Sequence, residues 1–144
     1  MNDQQNLPII IGVSGASGSI FAVRLLQILR ELGVPTHLVM SKAAELALSL
    51  ETDFSAPQVK AIADTVYKIA DVGAAIASGS FRTRGMVIAP CSVRTWSEIA
   101  TGVTSSLLTR AADVVLKEQR KLVLMVRETP LHLGHLRSLT QLSE

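Results

Sequence analysis

Residues 9–20 read IIIGVSGASGSI, an apolar run that enters a glycine-rich turn and then a helix. Ile9, Ile10 and Ile11 are β-branched with no polar alternation, the pattern of a strand buried on both faces of a parallel sheet. Gly12, Gly15 and Gly18 follow at intervals of three. Glycine there permits φ > 0 and lets the backbone approach a ligand with no Cβ in the way. The helix that opens after the turn presents unpaired N–H groups and a positive dipole end, so an anionic group is its natural guest. The loop is not a Walker A sequence, because no Lys-Ser or Lys-Thr follows its last glycine. Its G-x-x-G-x-x-G spacing also departs from the dinucleotide fingerprint, and the second strand ends at Ser41 where that fingerprint places an acidic residue for the ribose. A mere tight turn and a loop for a phosphate or a flat cofactor both stay open.

Outward from this loop, residues 19–32 place Ile20, Val23, Leu26, Ile28 and Leu29 at helical spacing, and Gly33 ends the helix. Residues 35–40, PTHLVM, form a second buried strand, and Ser41 caps a helix running to about Leu50. Strand, helix and strand of these lengths make a right-handed parallel unit. Residues 56–67 predict a single helix beginning near Pro57, and residues 74–79, AAIASG, a tight loop. Residues 85–90, GMVIAP, are a third strand, residues 92–102 a helix closed by glycine, and residues 105–119 a helix with Leu107, Leu108, Ala111, Val114 and Val115 on one side. Residues 121–126, KLVLMV, are a fourth strand, followed by a helix over 131–142. Strands alternating with helices imply an α/β fold, doubly wound in three layers about a mainly parallel sheet, which binds ligands beyond the carboxyl ends of its strands. Those ends carry Ser14, Ser41-Lys42, Cys91-Ser92 and Arg127-Glu128.

The totals narrow the classes. A chain of 144 residues, 48% hydrophobic, is sized for one domain with a substantial core. Fourteen Lys and Arg against twelve Asp and Glu leave +2, a small excess rather than a basic face. With one Trp, one Tyr and three Phe, the chain lacks the aromatic platforms of a nucleic-acid binder. The single cysteine, Cys91, excludes a disulfide framework and a multi-cysteine metal site, and it fits a reducing compartment. MNDQQNLP at the start lacks the positive segment of a signal peptide, and no run reaches the ~18–20 apolar residues of a membrane span. A soluble, cytoplasmic protein is expected, with neither nucleic acid nor membrane as partner.

Individual residues divide between structural and chemical readings. Cys91 follows an apolar strand with no histidine nearby, which favours a buried structural thiol over a nucleophile. His132 and His135 stand three apart on one helical face, but no third ligand accompanies them, so helix surface is preferred to a metal site. Arg110, Lys117 and Arg120 read as a solvated helical stripe when taken alone. Arg127-Glu128-Thr129-Pro130 is stronger, because a cation and a carboxylate at the end of a central strand stand where this architecture places chemistry.

Together these segments resemble the flavin prenyltransferases of the UbiX and Pad type, within the wider flavin-binding cysteine-decarboxylase-like superfamily. The motifs that carry the resemblance are GVSGASG at 12–18, MSKAA at 40–44, LETD at 50–53, ASGS at 77–80, PCS at 90–92, LLTRAADVVLKE at 107–118 and RETPLHLGHL at 127–136. The resemblance implies a flavodoxin-like or Rossmann-like FMN-binding domain over residues 1–144. It implies transfer of the dimethylallyl group from dimethylallyl phosphate to reduced FMN without a metal. The product, prenylated FMN, serves UbiD-type decarboxylases in ubiquinone biosynthesis or aromatic acid decarboxylation. By motif position, Gly15, Ala16, Ser17, Ser41, Ser92, Thr95 and Arg127 would contact flavin. Ser78, Gly79, Arg110, Lys117 and Arg127 would hold the prenyl phosphate, and Glu128, Glu51 and Ser17 would stand at the reacting centre.

The family also forms homo-oligomers with active sites between subunits, and its members continue past the position of Glu144 with another strand, a turn bearing a Tyr, a later Arg and a closing helix. An exposed sheet edge and an apolar helix face around Leu133, Leu136 and Leu139 are therefore expected here. Two other readings compete. One is a non-catalytic FMN-binding remnant. The other is an FMN-dependent cysteine-type decarboxylase, disfavoured because no histidine lies between Ser41 and Gly79 to match the one those relatives use.

Overall fold

The isoleucine run forms the middle strand of the sheet. In the computed structural model, which describes residues 6–144, β1 (Ile9–Val13) has Ile10 and Ile11 at 1% and 0% exposure. The expectation about a leader falls partly on residues 1–5, outside the described residues. β1 pairs in parallel with β2 (Thr36–Met40) on one side and β4 (Gly85–Cys91) on the other. β3 (Thr65–Tyr67) extends the sheet beyond β2, and β5 (Lys121–Val126) extends it beyond β4. The order β3-β2-β1-β4-β5 is all parallel and places the point where strand order reverses between β1 and β4, at the mouth of the glycine loop.

Strand side chains alternate between two cores. Ile11, Val13, Leu38 and Met40 face α1 (Ser19–Glu31), α2 (Lys42–Glu51) and α3 (Ala56–Lys60), whose Val23, Leu26, Leu48 and Val59 complete that layer. Ile10, Val39, Met86 and Ile88 face the opposite way, toward α4 (Val93–Thr101), α5 (Leu107–Lys117) and α6 (Leu133–Ser143). There Trp96 is fully buried, its indole N–H donates to Ser138 Oγ at 2.8 Å, and the His135 ring meets it edge-on at 5.7 Å. These contacts seat α6 on α4. The three-layer α/β expectation thus holds.

Several details differ from the sequence reading. Residues 56–67 are not one helix, and the sheet has five strands rather than four. Ser55 and Gln58 cap α3 reciprocally, but Arg30 Nη1 donates to the carbonyls of Ala61 and Ile62 at 3.1 and 2.9 Å and diverts the chain. Asp64 then accepts the Thr36 N–H at 2.8 Å, and Tyr67 pairs its hydroxyl with His37 Nδ1 at 2.8 Å, so Thr-Val-Tyr joins β2 as a strand. Arg127-Glu128 follows an outer strand of this sheet, not a central one. Along β5 Val123 is 45% exposed, and on α6 Leu133 and Leu136 are 59% and 49% exposed while Leu139 packs on the core.

The end of α5 carries backbone strain. Gln119 has φ 57°, the one non-glycine residue with positive φ among the described residues, and it turns the chain from α5 toward β5. A left-handed non-glycine residue costs roughly 1–2 kcal/mol, against ~0.5–1 kcal/mol for the extra unfolded-state freedom of glycine. Gln119→Gly is therefore expected to raise stability by about 0.5–1 kcal/mol, read as an increased midpoint of urea unfolding with an unchanged slope.

Candidate functional site

The three glycines of the opening loop serve different needs. Only Gly18 is left-handed, with φ 114°, and it is the N-cap of α1. A Cβ there would stand 2.6 Å from Arg127 Nη1. Gly15 does not use positive φ; its Cβ would collide with the Cβ of Ala43 in the first turn of α2. Glycine thus lets α2 and Arg127 close on the loop from two sides. Arg127, at the end of β5, lies over the Phe21 ring at 4.9 Å, a cation–π contact that orients the guanidinium.

The anionic guest expected at the start of α1 is a side chain of the protein itself. Glu51, the last residue of α2, accepts from the Gly18 and Ser19 N–H groups at 3.3 and 3.2 Å and from Ser19 Oγ at 2.8 Å. The Ser19 hydroxyl, then its N–H, hold the carboxyl below the usual carboxylate range, and Ser17 adds to this. That helix end is satisfied internally.

Two other helix ends are open. Ser41 caps α2 by accepting from Ala44 N at 3.0 Å, and Ser92 caps α4 by accepting from Thr95 N at 3.2 Å while donating to Thr95 Oγ1 at 2.9 Å. The earliest N–H groups of each helix have no partner inside the helix. They flank a cleft of about 450 Å³ lined by Ser14, Gly15, Ser41, Lys42, Ser92, Arg94, Thr95, Glu98 and the 105–109 segment. A second cleft of about 480 Å³ shares Gly15, Ser92 and Arg94 with the first, and adds Ala16, Ser17, Cys91, Arg127, Glu128 and Thr129. The structure therefore gathers Gly15, Ala16, Ser17, Ser41, Ser92, Thr95, Arg127 and Glu128 at the carboxyl ends of the strands. Glu51 lines neither cleft and stands behind Ser17.

Sequence reading missed Arg94, Glu98 and Ser105. Arg94 and Glu98 pair at 3.1 Å across one helical turn, and Ser105 Oγ donates to Glu98 at 2.6 Å. Burial opposes the Glu98 charge, but the hydrogen bonds from Ser105 and Arg94 outweigh it and leave the carboxyl below its usual range. The i,i+4 opposite charges behind the Ser92 cap were the available signal.

Of the residues assigned by resemblance to the prenyl phosphate, Arg127 lines the second cleft and the others lie elsewhere in the fold. The 78–81 loop precedes β4 and Lys117 precedes β5, so in a parallel sheet both stand at the amino-terminal edge. Lys117 Nζ pairs with Glu118 at 2.8 Å directly over Gly79, whose missing Cβ leaves room for both side chains. Arg110 lies between the two edges on α5, paired with Asp113 at 3.1 Å.

Cys91 is a buried thiol, as its context predicted; burial pushes its pKa up to about 12. His132 is the N-cap of α6 rather than a helix-face residue, and its ring accepts from the His135 N–H at 3.2 Å and stacks on the His135 ring at 3.5 Å. No cluster of three or more His, Cys, Asp or Glu suited to a metal occurs among the described residues. No described helix is long and apolar enough to cross a membrane.

The Flavoprotein family model matches residues 1–142. Flavin prenyltransferase UbiX of Escherichia coli K12 is 62% identical over 137 residues, which cover 94% of this chain and 72% of that protein. The crystal structure of AnUbiX (PadA1) in complex with FMN and dimethylallyl pyrophosphate superposes with a TM-score of 0.95 at 45% identity, over 96% of this chain and 73% of that one. A dodecameric FMN-dependent Ubix-like decarboxylase from Escherichia coli O157:H7 superposes with a TM-score of 0.93 at 51% identity, over 95% and 75%. The chain thus spans about 72% of the length of the UbiX relative it matches.

Two measurements test the local chemistry. A carboxyl whose folded pKa is depressed adds stability above its unfolded value, near the ordinary 4.5, and loses it as pH falls through the folded value. Glu51→Gln is therefore expected to be less stable than wild type at neutral pH, with the gap in urea midpoint closing as the pH is lowered through that window. Cys91 is expected to resist iodoacetamide at pH ~8 in the folded protein and to react on unfolding, since only the thiolate attacks; mass spectrometry of the alkylated chain reads both states.

Proposed function

The chain belongs to the Flavoprotein family and, within it, to the flavin prenyltransferases of the UbiX type, and on that footing we propose that it transfers the dimethylallyl group of dimethylallyl phosphate to reduced FMN, making prenylated FMN for a UbiD-type decarboxylase. The observation that carries this reading is the convergence of two capped but open helix ends and the Arg127-Glu128 pair on the backbone of Gly15.

The residues present suit FMN. Backbone access at Gly15, the α2 and α4 N-termini, and the Ser41, Ser92 and Thr95 hydroxyls match a phosphate and a ribityl chain. Ala16, Ser17 and Arg127 border the adjoining cleft, where a flat ring system fits. When bound, reduced FMN supplies an electron-rich ring to which the prenyl carbon becomes joined.

Breaking the allylic C–O bond leaves positive charge on the prenyl group and negative charge on phosphate. Arg127 offers a guanidinium already oriented by Phe21, and each well-placed donor in such a site is worth roughly 2.7–4 kcal/mol by analogy with oxyanion holes. Glu128, next in the chain, would move the protons that ring closure requires, giving one to the allylic double bond and taking back the one that the flavin ring loses. Ser17 borders the reacting centre, and Glu51, held ionised behind it, fixes the loop that carries it.

Ser78, Gly79, Arg110 and Lys117 complete the phosphate site from a second copy of the chain. The position of Ser78, Gly79 and Lys117 at the opposite sheet edge accords with this and with the family's sites between subunits, so a homo-oligomer is part of the proposal. The chain acts as one FMN-binding domain in the cytoplasm, where the reduced Cys91 is at home.

Incubation of the purified chain with chemically reduced FMN and dimethylallyl phosphate, without oxygen, is expected to add a prenyl-sized mass to the flavin. FMN bound but unmodified would instead support a non-catalytic flavin carrier. Glu128→Gln should slow transfer by about 100-fold or more while leaving FMN retention nearly unchanged.

A further inference from the structure

Arg120 was read from the sequence as one member of a solvated stripe. It is not solvated in that sense. Its guanidinium is half-buried, and it donates from Nη2 to the Gly79 carbonyl at 2.9 Å and from Nη1 to the Phe81 carbonyl at 3.0 Å. The 78–81 segment is a turn closed by Phe81 N to Ser78 O at 3.2 Å, so the two arms of one planar cation hold the second and last residues of a single turn. We propose that Arg120 is a positioning residue for the transfer reaction, holding the Ser78–Gly79–Ser80 turn in the shape that receives the phosphate of the prenyl donor. The inference rests on the functional reading above, which places Ser78, Gly79 and Lys117 at that phosphate.

Peptide geometry explains how the grip works. In a trans peptide the carbonyl and the following N–H point in opposite directions. With the Gly79 carbonyl aimed at Arg120, the Ser80 N–H is aimed away from it, toward Ser78 Oγ at 3.4 Å, and Ser78 and Ser80 share their hydroxyls at 2.9 Å. The Ser78 and Ser80 hydroxyls therefore stand on the exposed side, and the Gly79 and Phe81 carbonyl oxygens, which would repel an anion, are turned toward Arg120.

Lys117 Nζ lies beside Gly79, where Glu118 holds it until an anion competes. The left-handed Gln119 makes the turn that brings Arg120 from the end of α5 to this loop. On the other side, the Phe81 ring packs on His37 at 5.4 Å, so the turn has an apolar anchor as well.

The test compares Arg120→Gln and Arg120→Lys with wild type, measuring KM for dimethylallyl phosphate, kcat, and FMN affinity. Loss of the charged fork is expected to raise KM in Arg120→Gln by about tenfold or more, with kcat and FMN affinity little changed. Arg120→Lys, able to serve one carbonyl but not both, is expected to fall between. An unchanged KM in Arg120→Gln overturns the proposal, as does a joint loss of kcat, FMN affinity and KM in both variants, which marks a general structural role.

Should Arg120→Gln not fold, Arg120→Lys decides alone: raised KM with normal FMN affinity supports the clamp, and wild-type KM refutes it. If wild type itself transfers no prenyl group, the functional reading fails instead. The clamp is then judged by titrating inorganic phosphate against the Gly79 and Ser80 amide resonances. Binding in wild type that weakens in Arg120→Gln supports it, and equal or absent binding in both overturns it.

Discussion

The Ser14 hydroxyl ties the two halves of the site together. It is buried, donates to the Pro90 carbonyl at 2.8 Å and accepts from the Ser92 N–H at 2.7 Å. Those two bonds join the carboxyl end of β1 to the turn between β4 and α4, elements 76 to 78 residues apart in sequence. A buried hydroxyl with both roles satisfied is rigid, because breaking either bond leaves a polar group unpaired in the core. The glycine loop is thereby fixed against the N-terminus of α4, and the two clefts open on either side of that junction. Everything the site can bind is measured from this point.

Charge is then distributed around the junction by helix ends. α1, α2 and α4 all begin near the glycine loop, and three positive dipole ends in one place attract anions strongly. One of the three is filled from within, by Glu51, leaving the ends of α2 and α4 for a ligand. Arg94 and Glu98 stand paired at the rim, while Arg127 reaches the loop from the outer strand and rests on Phe21. The cleft therefore offers directed N–H groups and hydroxyls more than loose cationic charge. Such donors are fixed before a ligand arrives, which favours electrostatic selectivity over mere attraction.

Much of this was legible in order along the chain. The isoleucine run, the Ser41 cap, the Gly33 and Gly102 stops and the span of β5 follow from local rules, because burial on both faces, a capping hydroxyl and a left-handed glycine act within a few residues. The long motifs 107–118 and 127–136 carried the family. Residues 56–67 were misread because Arg30 and Asp64, each some thirty residues from its partner, decide where α3 ends and β3 begins. The Arg94–Glu98–Ser105 cluster was passed over because its members look like ordinary helix and loop surface until the fold turns them toward one cleft.

By itself, the sequence determined the fold class, the family and the identity of the residues at the strand ends, since these depend on patterns written within single elements. Tertiary structure alone decided which of those residues meet. It placed Glu51 on the helix end expected to receive a ligand, put Arg127 on an outer strand, and carried Ser78, Gly79 and Lys117 to the edge of the sheet opposite the clefts. The physical reason is that hydrogen bonds and charges act over a few ångströms in space, while their partners here are separated by tens of residues in the chain. Only the packed sheet sets those distances.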